Sequence, residues 1–288
     1  MRLFSYHFDK NKGYEKYSIL GIKFNYFNKK KRILQLQKEV EALRMVMSYS
    51  IDLTKLKSTQ GVARKKQLES INIFKKIIEI CSINKLDYFI SFGTCIGAIR
   101  HKGFIPWDDD IDITMLRDDY LAILPFLYKV FDNTSYQVRE FLDDHFQIRI
   151  CRKDNSEVGV DIFPMDKYCK SHITDQEMSN LNSSVHLAIK KMKKLKGETD
   201  IIKVRNYISN LTNDLLDNMP QAENCPVLFY GIDYPHPHDM IVFNYDTIFP
   251  LKEIEFEGIK CMAPNNISRY LFPLYGDYNT LPSKPYYG

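Results

Sequence analysis

The run Trp107-Asp108-Asp109-Asp110-Ile111-Asp112-Ile113 constrains this chain more than any other stretch. Asp108, Asp109, Asp110 and Asp112 repel one another, and burying such groups without a counter-charge is costly. The Ile-Asp-Ile alternation that ends the run has the two-residue period of a strand, which argues against a solvated acidic loop. Residues two apart in a strand share a face, so Asp110 and Asp112 project together while Ile111 and Ile113 turn to the core. Two hard oxygen ligands on one face suit Mg²⁺ or Mn²⁺. An EF-hand counted from Asp108 fails, because Ile113 stands where glycine is needed and Asp119 where glutamate is needed.

Two further stretches complement the acidic run. Val158-Gly159-Val160-Asp161-Ile162-Phe163 carries a lone Asp in an apolar strand pattern, a costly placement unless the carboxylate is paired or ligated. If this strand neighbours the first, Asp110, Asp112 and Asp161 converge and can hold two metals for in-line phosphoryl transfer. Upstream, Gly93-Thr94 follows a strand pattern and opens a helix, so free backbone N–H groups and the Thr hydroxyl there would face an anionic phosphate. The three elements together point to a nucleotidyltransferase-type site. The Asp-x-Asp alone also fits a metal-dependent glycosyltransferase that uses a nucleotide sugar.

Composition narrows the setting. In 288 residues there are 40 basic and 36 acidic side chains, a net charge of +4. A nucleic-acid partner calls for a more basic chain. A mild positive excess fits phosphate groups or an anionic membrane surface. The six cysteines, Cys81, Cys95, Cys151, Cys169, Cys225 and Cys261, form no CxxC pair and sit largely in apolar runs, as buried thiols of a reducing compartment do. No apolar run reaches the roughly 18 residues of a membrane span, and Met1–His7 lacks a signal-peptide core, so the expected location is cytoplasmic.

The expected architecture is α/β (α+β): a mixed sheet flanked by helices, with an N-terminal helical extension and a helical insertion. Residues 1–63 form the extension. Gly21–Phe27 reads as one short strand or hairpin, and Lys29–Arg32 as a basic turn or a peripheral contact with anionic lipid. Ile33, Leu36, Val40, Leu43 and Met47 make a two-heptad stripe, suited either to joining subunits or to docking on the domain. Residues 51–63 read as a linker. The catalytic domain spans 64–288, with a helix from Arg64 to Ile83 burying Leu68, Ile71, Phe74, Ile77 and Ile78. Strands follow at Leu86–Phe92, Ile111–Met115, Tyr136–Phe141, Phe146–Cys151 and Val158–Phe163. Helices are expected at Thr94–Arg100 and Asp118–Val130, and an insertion at about 170–235.

The motifs Gly93-Thr94-x-x-Gly97, Arg100 to Asp112, and Val160-Asp161-Ile162-Phe163-Pro164-Met165-Asp166 resemble the LicD family, which includes bacterial phosphorylcholine transferases and is related to fukutin and fukutin-related protein. The resemblance resumes in Phe249-Pro250-Leu251, Phe256-Glu257-Gly258, Ala263-Pro264-Asn265, Tyr270-Leu271, Leu274 to Tyr278 and Leu281-Pro282, and covers about residues 66–282. It implies a nucleotidyltransferase-like core. It also implies transfer of phosphocholine from CDP-choline to a sugar hydroxyl of a surface glycan, lipooligosaccharide, teichoic acid or capsule, with release of CMP. Another CDP-linked alcohol phosphate, ribitol or glycerol phosphate, is the alternative within the same chemistry. By the same resemblance Asp110 and Asp112 are the metal pair, Asp161 is the third carboxylate, and Gly93 and Thr94 lie in the phosphate-binding turn.

Other groups carry two readings each. Arg100 and Lys102 neutralise the donor phosphate or balance the nearby carboxylates. His101 is a base or a structural histidine. Trp107 offers its face to the trimethylammonium of choline or anchors its loop. Arg149 and Arg152 have opposite strand parity, so one of them faces the site. His236 and His238 have same-face spacing and either bind metal or, with no third ligand nearby, belong to a proline-stiffened loop, and the Lys190–Lys196 run is a solvated helix face or a path for an anionic glycolipid acceptor.

Overall fold

The β-branched alternation around Asp112 forms a central strand. The structure, a computed structural model, describes residues 4–9, 14–19, 22–27, 29–50, 52–142, 145–154, 158–168, 174–192, 210, 227–231 and 241–280. The chain divides into one unit of residues 1–53 with 279–288 and another of residues 54–278.

In the first unit β1 (Phe4–Asp9), β2 (Tyr14–Ile19) and β3 (Ile22–Phe27) form an antiparallel meander, with Phe4 opposite Ile19 and Tyr14 opposite Phe27. The sequence reading expected a single strand or hairpin. It passed over the aromatic–polar alternation Phe4-Ser5-Tyr6-His7-Phe8-Asp9, a two-residue period in its own right. Helix α1 (Lys29–Ser50) takes up Lys29–Arg32 as its first turn rather than leaving them in a loop. Ile33, Leu36, Val40 and Leu43 of its heptad stripe are exposed.

The second unit carries the larger sheet. Its helices and strands are α2 (Gly61–Asn84), β4 (Phe89–Ile90), α3 (Phe92–His101), β5 (Ile111–Leu116), α4 (Arg117–Ala122), α5 (Leu124–Phe131), β6 (Tyr136–Leu142), β7 (His145–Arg152) and β8 (Gly159–Tyr168). After them come α6 (Asp175–Met192), β9 (Val227–Tyr230), β10 (Val242–Asn244), α7 (Tyr245–Ile248), β11 (Lys252–Phe256), β12 (Ile259–Ala263) and α8 (Ile267–Tyr275). The order β10-β9-β8-β5-β4 runs across the sheet. β5 and β8 are parallel, and the remaining pairs are antiparallel. β8 is long enough to change partners along its second edge. Gly159–Ile162 pair with β7, and Met165–Tyr168 pair with β9. β6 extends the sheet beyond β7.

The core lies between this sheet and its helices. Ile73, Phe74, Ile77, Phe89, Ile111, Ile113, Ile148, Val160 and Ile162 are fully enclosed. The buried face of α2 is turned from the expected one: Leu68 is exposed, while Gln67 and Ser70 are buried. Asp118–Val130, expected as one helix, is two, because Pro125 in the first turn of α5 has no N–H to continue the ladder from α4. The expected strand Leu86–Phe92 is reduced to Phe89–Ile90, since Phe92 already starts α3. Cys81, Cys95, Cys151 and Cys261 are buried free thiols. Cys169, Cys225, His236, His238 and Leu281-Pro282 lie outside the described residues, as does most of the Lys190–Lys196 run.

Candidate active site

The parallel ladder of β5 and β8 sets Asp112 directly beside Asp161, flanked by the Ile111–Val160 and Ile113–Ile162 pairs that turn into the core. Asp110 precedes β5 by one residue and points the same way. Oxygens of Asp110, Asp112 and Asp161 all lie within 4.8 Å of one another. The convergence expected if the two strands were neighbours is therefore present. The row continues across the sheet, because Arg149 on β7 faces Asp161 and Arg139 on β6 faces Arg149. Arg149 directs Nη1 at Oδ2 of Asp161 and stands 3.8 Å from Oδ2 of Asp110. Arg152, of opposite parity, turns away to Glu69 and Asp154. Parity thus assigns Arg149 to the site.

Three carboxylates converge at the Arg149 guanidinium and Asp108 crowds Asp110, so negative charge predominates at the site. Burial, followed by repulsion from Asp110, pushes the Asp108 carboxyl up to about 8. Burial raises Asp161 to about 7 against the pull of Arg149. Burial and the neighbouring Asp110, Asp161 and Asp108 hold Asp112 well above the carboxylate range. Oδ1 of Asp161 is buried without a hydrogen-bond partner. An orphaned oxygen among crowded hard ligands is the donor set that a small divalent cation satisfies, so Asp110, Asp112 and Asp161 fit such an ion.

The turn into α3 is tied to these strands through Asp112. The Ser91 N–H donates to the Asp112 carbonyl at 3.0 Å, and the Asp112 N–H donates to Thr94 Oγ1 at 2.8 Å. Thr94 is buried, so its hydroxyl oxygen fixes the position of β5 as well as lying in the expected phosphate turn. Phe92 starts α3 with φ of 44°, a left-handed conformation that is strained for a bulky residue. It is held from two sides. Its N–H donates to the Tyr270 hydroxyl at 3.2 Å, and its ring stacks on Tyr230 and meets Phe163 edge-on. The Tyr230 and Tyr270 hydroxyls bond to each other. The Gly93 and Thr94 N–H groups follow in the first helical turn, where the helix itself supplies no acceptor. Gly93 lets the Asp108 carboxyl come close: a Cβ there would lie 2.8 Å from Oδ2 of Asp108, which would have to swing aside.

The acidic loop returns antiparallel along α3 and is braced from behind. A Cβ on Gly97 would strike the Gly103 carbonyl and come within 3.1 Å of the Ile105 nitrogen. From α2, Gln67 Nε2 donates to the Asp108 carbonyl at 2.7 Å and Ser70 Oγ to the Asp109 carbonyl at 3.1 Å. Lys66 Nζ is 3.5 Å from Oδ2 of Asp109. Arg64 grips both oxygens of Glu257, and Glu257 also accepts the Phe104 N–H.

This return path separates residues that adjacency in sequence had grouped. A ten-residue helix spans about 15 Å, and Gly93 and Thr94 occupy its first turn while Arg100 and His101 occupy its last. Lys102 is the C-cap, in the left-handed conformation. The fold thus puts Arg100 and Lys102 at the end of α3 away from the Gly93–Thr94 turn. Arg100 donates to the Tyr278 carbonyl at 2.8 Å, which makes the Leu274–Tyr278 segment a cap on that end. Burial, then Arg100, lowers the His101 imidazole below its usual range. Trp107 is 61% exposed in the turn just before the carboxylates.

Sequence reasoning omitted Gln67 and Ser70. Their signal was two polar residues on the inner face of an amphipathic helix, seen only once the face is assigned correctly. Asp108 was visible but was not separated from its neighbours, and Tyr230 carries no motif. Tyr270 was quoted in a motif without a role.

Residues 85–196 match the family model described as LicD/FKTN/FKRP, nucleotidyltransferase domain. The chain is 26% identical over 244 residues to the lipopolysaccharide cholinephosphotransferase LicD of Haemophilus influenzae, covering 76% of this chain and 92% of that protein. An uncharacterized protein of Rickettsia prowazekii is 30% identical over 125 residues, 41% of this chain and 46% of the relative. Among solved structures, the antibiotic-resistance factor ANT(2'')-Ia aligns with a TM-score of 0.24 at 17% identity, over 52% of this chain and 89% of that one. Terminal uridylyl transferase 4 from Trypanosoma brucei with bound GTP aligns with a TM-score of 0.26 at 14% identity, over 63% and 59% of the two chains.

Proposed function

The chain belongs to the LicD/FKTN/FKRP family, and from that premise we propose that it transfers phosphocholine from CDP-choline to a sugar hydroxyl of a bacterial surface glycan, releasing CMP. The observation that carries the reading is the convergence of Asp110, Asp112 and Asp161 beside an open helix N-terminus. In the transfer, the acceptor oxygen forms a bond to the phosphorus that bears choline. The bond from that phosphorus to the CMP oxygen breaks, and the hydroxyl proton is lost to solvent or a base.

Asp110, Asp112 and Asp161 would hold Mg²⁺ or Mn²⁺, which when bound neutralises donor phosphate and acidifies the acceptor hydroxyl. Asp161 serves as a ligand and not as the base, since a carboxylate beside cations is a poor proton acceptor. The Gly93 and Thr94 N–H groups receive a phosphate oxygen of the donor. Gln67 and Ser70 keep the Asp108 and Asp109 backbone, and hence Asp110, in register with β5. Trp107 stands exposed at the rim, where its ring face can meet the choline trimethylammonium.

The acceptor is a saccharide or glycolipid met in the cytoplasm at the inner face of the membrane. No described helix is long and apolar enough to cross a bilayer. The exposed Ile33, Leu36, Val40 and Leu43 stripe of α1 joins two copies, and the Lys29–Arg32 turn meets anionic lipid.

The test is CMP release from CDP-choline, Mg²⁺ and a panel of saccharides, with Asp110→Asn alongside. Release that needs both metal and Asp110 supports the reading. Turnover of CDP-ribitol or CDP-glycerol instead keeps the mechanism and changes the donor. Turnover of a nucleotide sugar alone overturns it.

A further inference from the structure

Arg149 sets its charge among the converging carboxylates. Its Nη1 lies between two of the three converging carboxylates, against Oδ2 of Asp161 and 3.8 Å from Oδ2 of Asp110. It is held there by register and not by chance, because Arg149 is the cross-strand partner of Asp161 and Arg139 is the cross-strand partner of Arg149. Two arginines and two aspartates thus form one row over four adjacent strands, Arg139-Arg149-Asp161-Asp112.

A divalent ion bridging Oδ2 of Asp110 and Oδ2 of Asp161 would need the same gap, with Oδ1 of Asp161 open to it besides. Magnesium sits about 2.0–2.1 Å from its oxygens, leaving no room for a guanidinium nitrogen between them. The fork that is released stays charged and remains anchored on β7. A planar guanidinium matches phosphate oxygens better than any other side chain does. Phosphate is also the anion that accompanies the metal in the proposed reaction.

We propose that Arg149 is an exchangeable counter-ion: it holds Asp110 and Asp161 in place before the metal arrives, then turns to grip the phosphates of the bound nucleotide, with Arg139 beside it. The second half rests on the phosphotransfer reading above. This makes Arg149 a catalytic residue, and the two halves of its role predict effects of opposite sign.

The first measurement is Mn²⁺ binding by titration calorimetry to the full chain without nucleotide, in wild type and in Arg149→Met. Removing the competing charge should tighten Mn²⁺ binding about tenfold. Unchanged or weaker binding overturns the counter-ion role, weaker binding meaning that Arg149 only positions Asp161. The second measurement is CDP binding at saturating Mn²⁺, which should weaken about tenfold or more in the same variant. An unchanged CDP affinity overturns the phosphate role. Should the Met variant not fold, Arg149→Lys keeps the charge but loses the fork: it should leave Mn²⁺ binding near wild type and still weaken CDP. A Lys variant with wild-type CDP affinity overturns the phosphate role equally. Inorganic pyrophosphate is the parallel probe. If wild type binds it with Mn²⁺ but binds no CDP, the choice of donor has failed, and the effect of Arg149→Met on pyrophosphate still decides the role of Arg149.

Discussion

Asp112 and Asp161 stand side by side on the parallel strands β5 and β8, with Asp110 closing the triangle. Like charges this close cost stability unless a cation offsets them. Asp112→Asn and Asp161→Asn should each lower turnover about a thousandfold or more, the equivalent of several kcal/mol of lost metal chemistry. The same changes should raise the melting temperature of the metal-free protein, at about 2–4 °C per kcal/mol of relieved repulsion. Calorimetry and CMP release on the same preparations check both signs.

The carboxyl pKa values set a pH dependence. Asp108 and Asp161 are raised in the folded protein, to about 8 and about 7, largely by burial. A group raised in this way favours the folded state below its unfolded value and loses that contribution as pH climbs through the folded one. Metal-free protein should therefore lose stability as pH rises from the acid side of the carboxylate range to about 8. Added Mg²⁺ or Mn²⁺ should raise the melting temperature more at the upper end of that window than at the lower. Thermal unfolding across pH, with metal and with chelator, tests this. A metal effect equal at both ends counts against the triad as the binding site.

Gly97 lets the loop carrying the acidic run lie against α3. Gly97→Ala brings a methyl group onto the backbone at Gly103 and Ile105, and neither neighbour is the flexible end of a side chain. The expected cost is about 1–3 kcal/mol, read by chemical denaturation. Metal affinity should fall in the protein that remains folded, because Asp110 moves with the loop.

Tyr270 holds the strained start of α3. Tyr270→Phe leaves the Phe92 N–H without its acceptor and the Tyr230 hydroxyl without this partner, at a cost of about 1–3 kcal/mol. If the bond also sets the direction of the Gly93 and Thr94 N–H groups, amide hydrogen exchange at those two residues should quicken and CDP binding should weaken. Tyr120→Phe is the control. Its hydroxyl accepts the Ile148 N–H at 3.2 Å, so it should change stability without altering exchange at Gly93.

Much of the site could be read from residue order because its chemistry is local. The Ile-Asp-Ile and Val-Asp-Ile alternations announce two strands with an acid on the same face, and strand parity limits Arg149 and Arg152 to one candidate. Choosing between those arginines needed the β7–β8 register, which no residue pattern states. Arg100 and Lys102 adjoin the acidic run in sequence, yet the Gly97 contact turns the loop back past them and leaves them at the far end of α3. The N-terminal meander was missed for a different reason. Its pairing joins residues across intervening turns, and a single alternating segment does not reveal how many partners it has. On α2, Leu68 misled by hydrophobicity alone, whereas buried Gln67 and Ser70 face inward to hold carbonyls.

The exchange of partners along β8 has a consequence for tolerance of length changes. Tyr168 leaves the sheet directly opposite Val227, where the chain returns. A stretch whose two ends are pinned on facing rungs can grow or shrink at small closure cost. Asp161 and its neighbours Asp112 and Arg149 are fixed by the other half of the same strand. Lengthening or shortening the chain between Tyr168 and Val227 should therefore leave the Asp112–Asp161–Arg149 row in place.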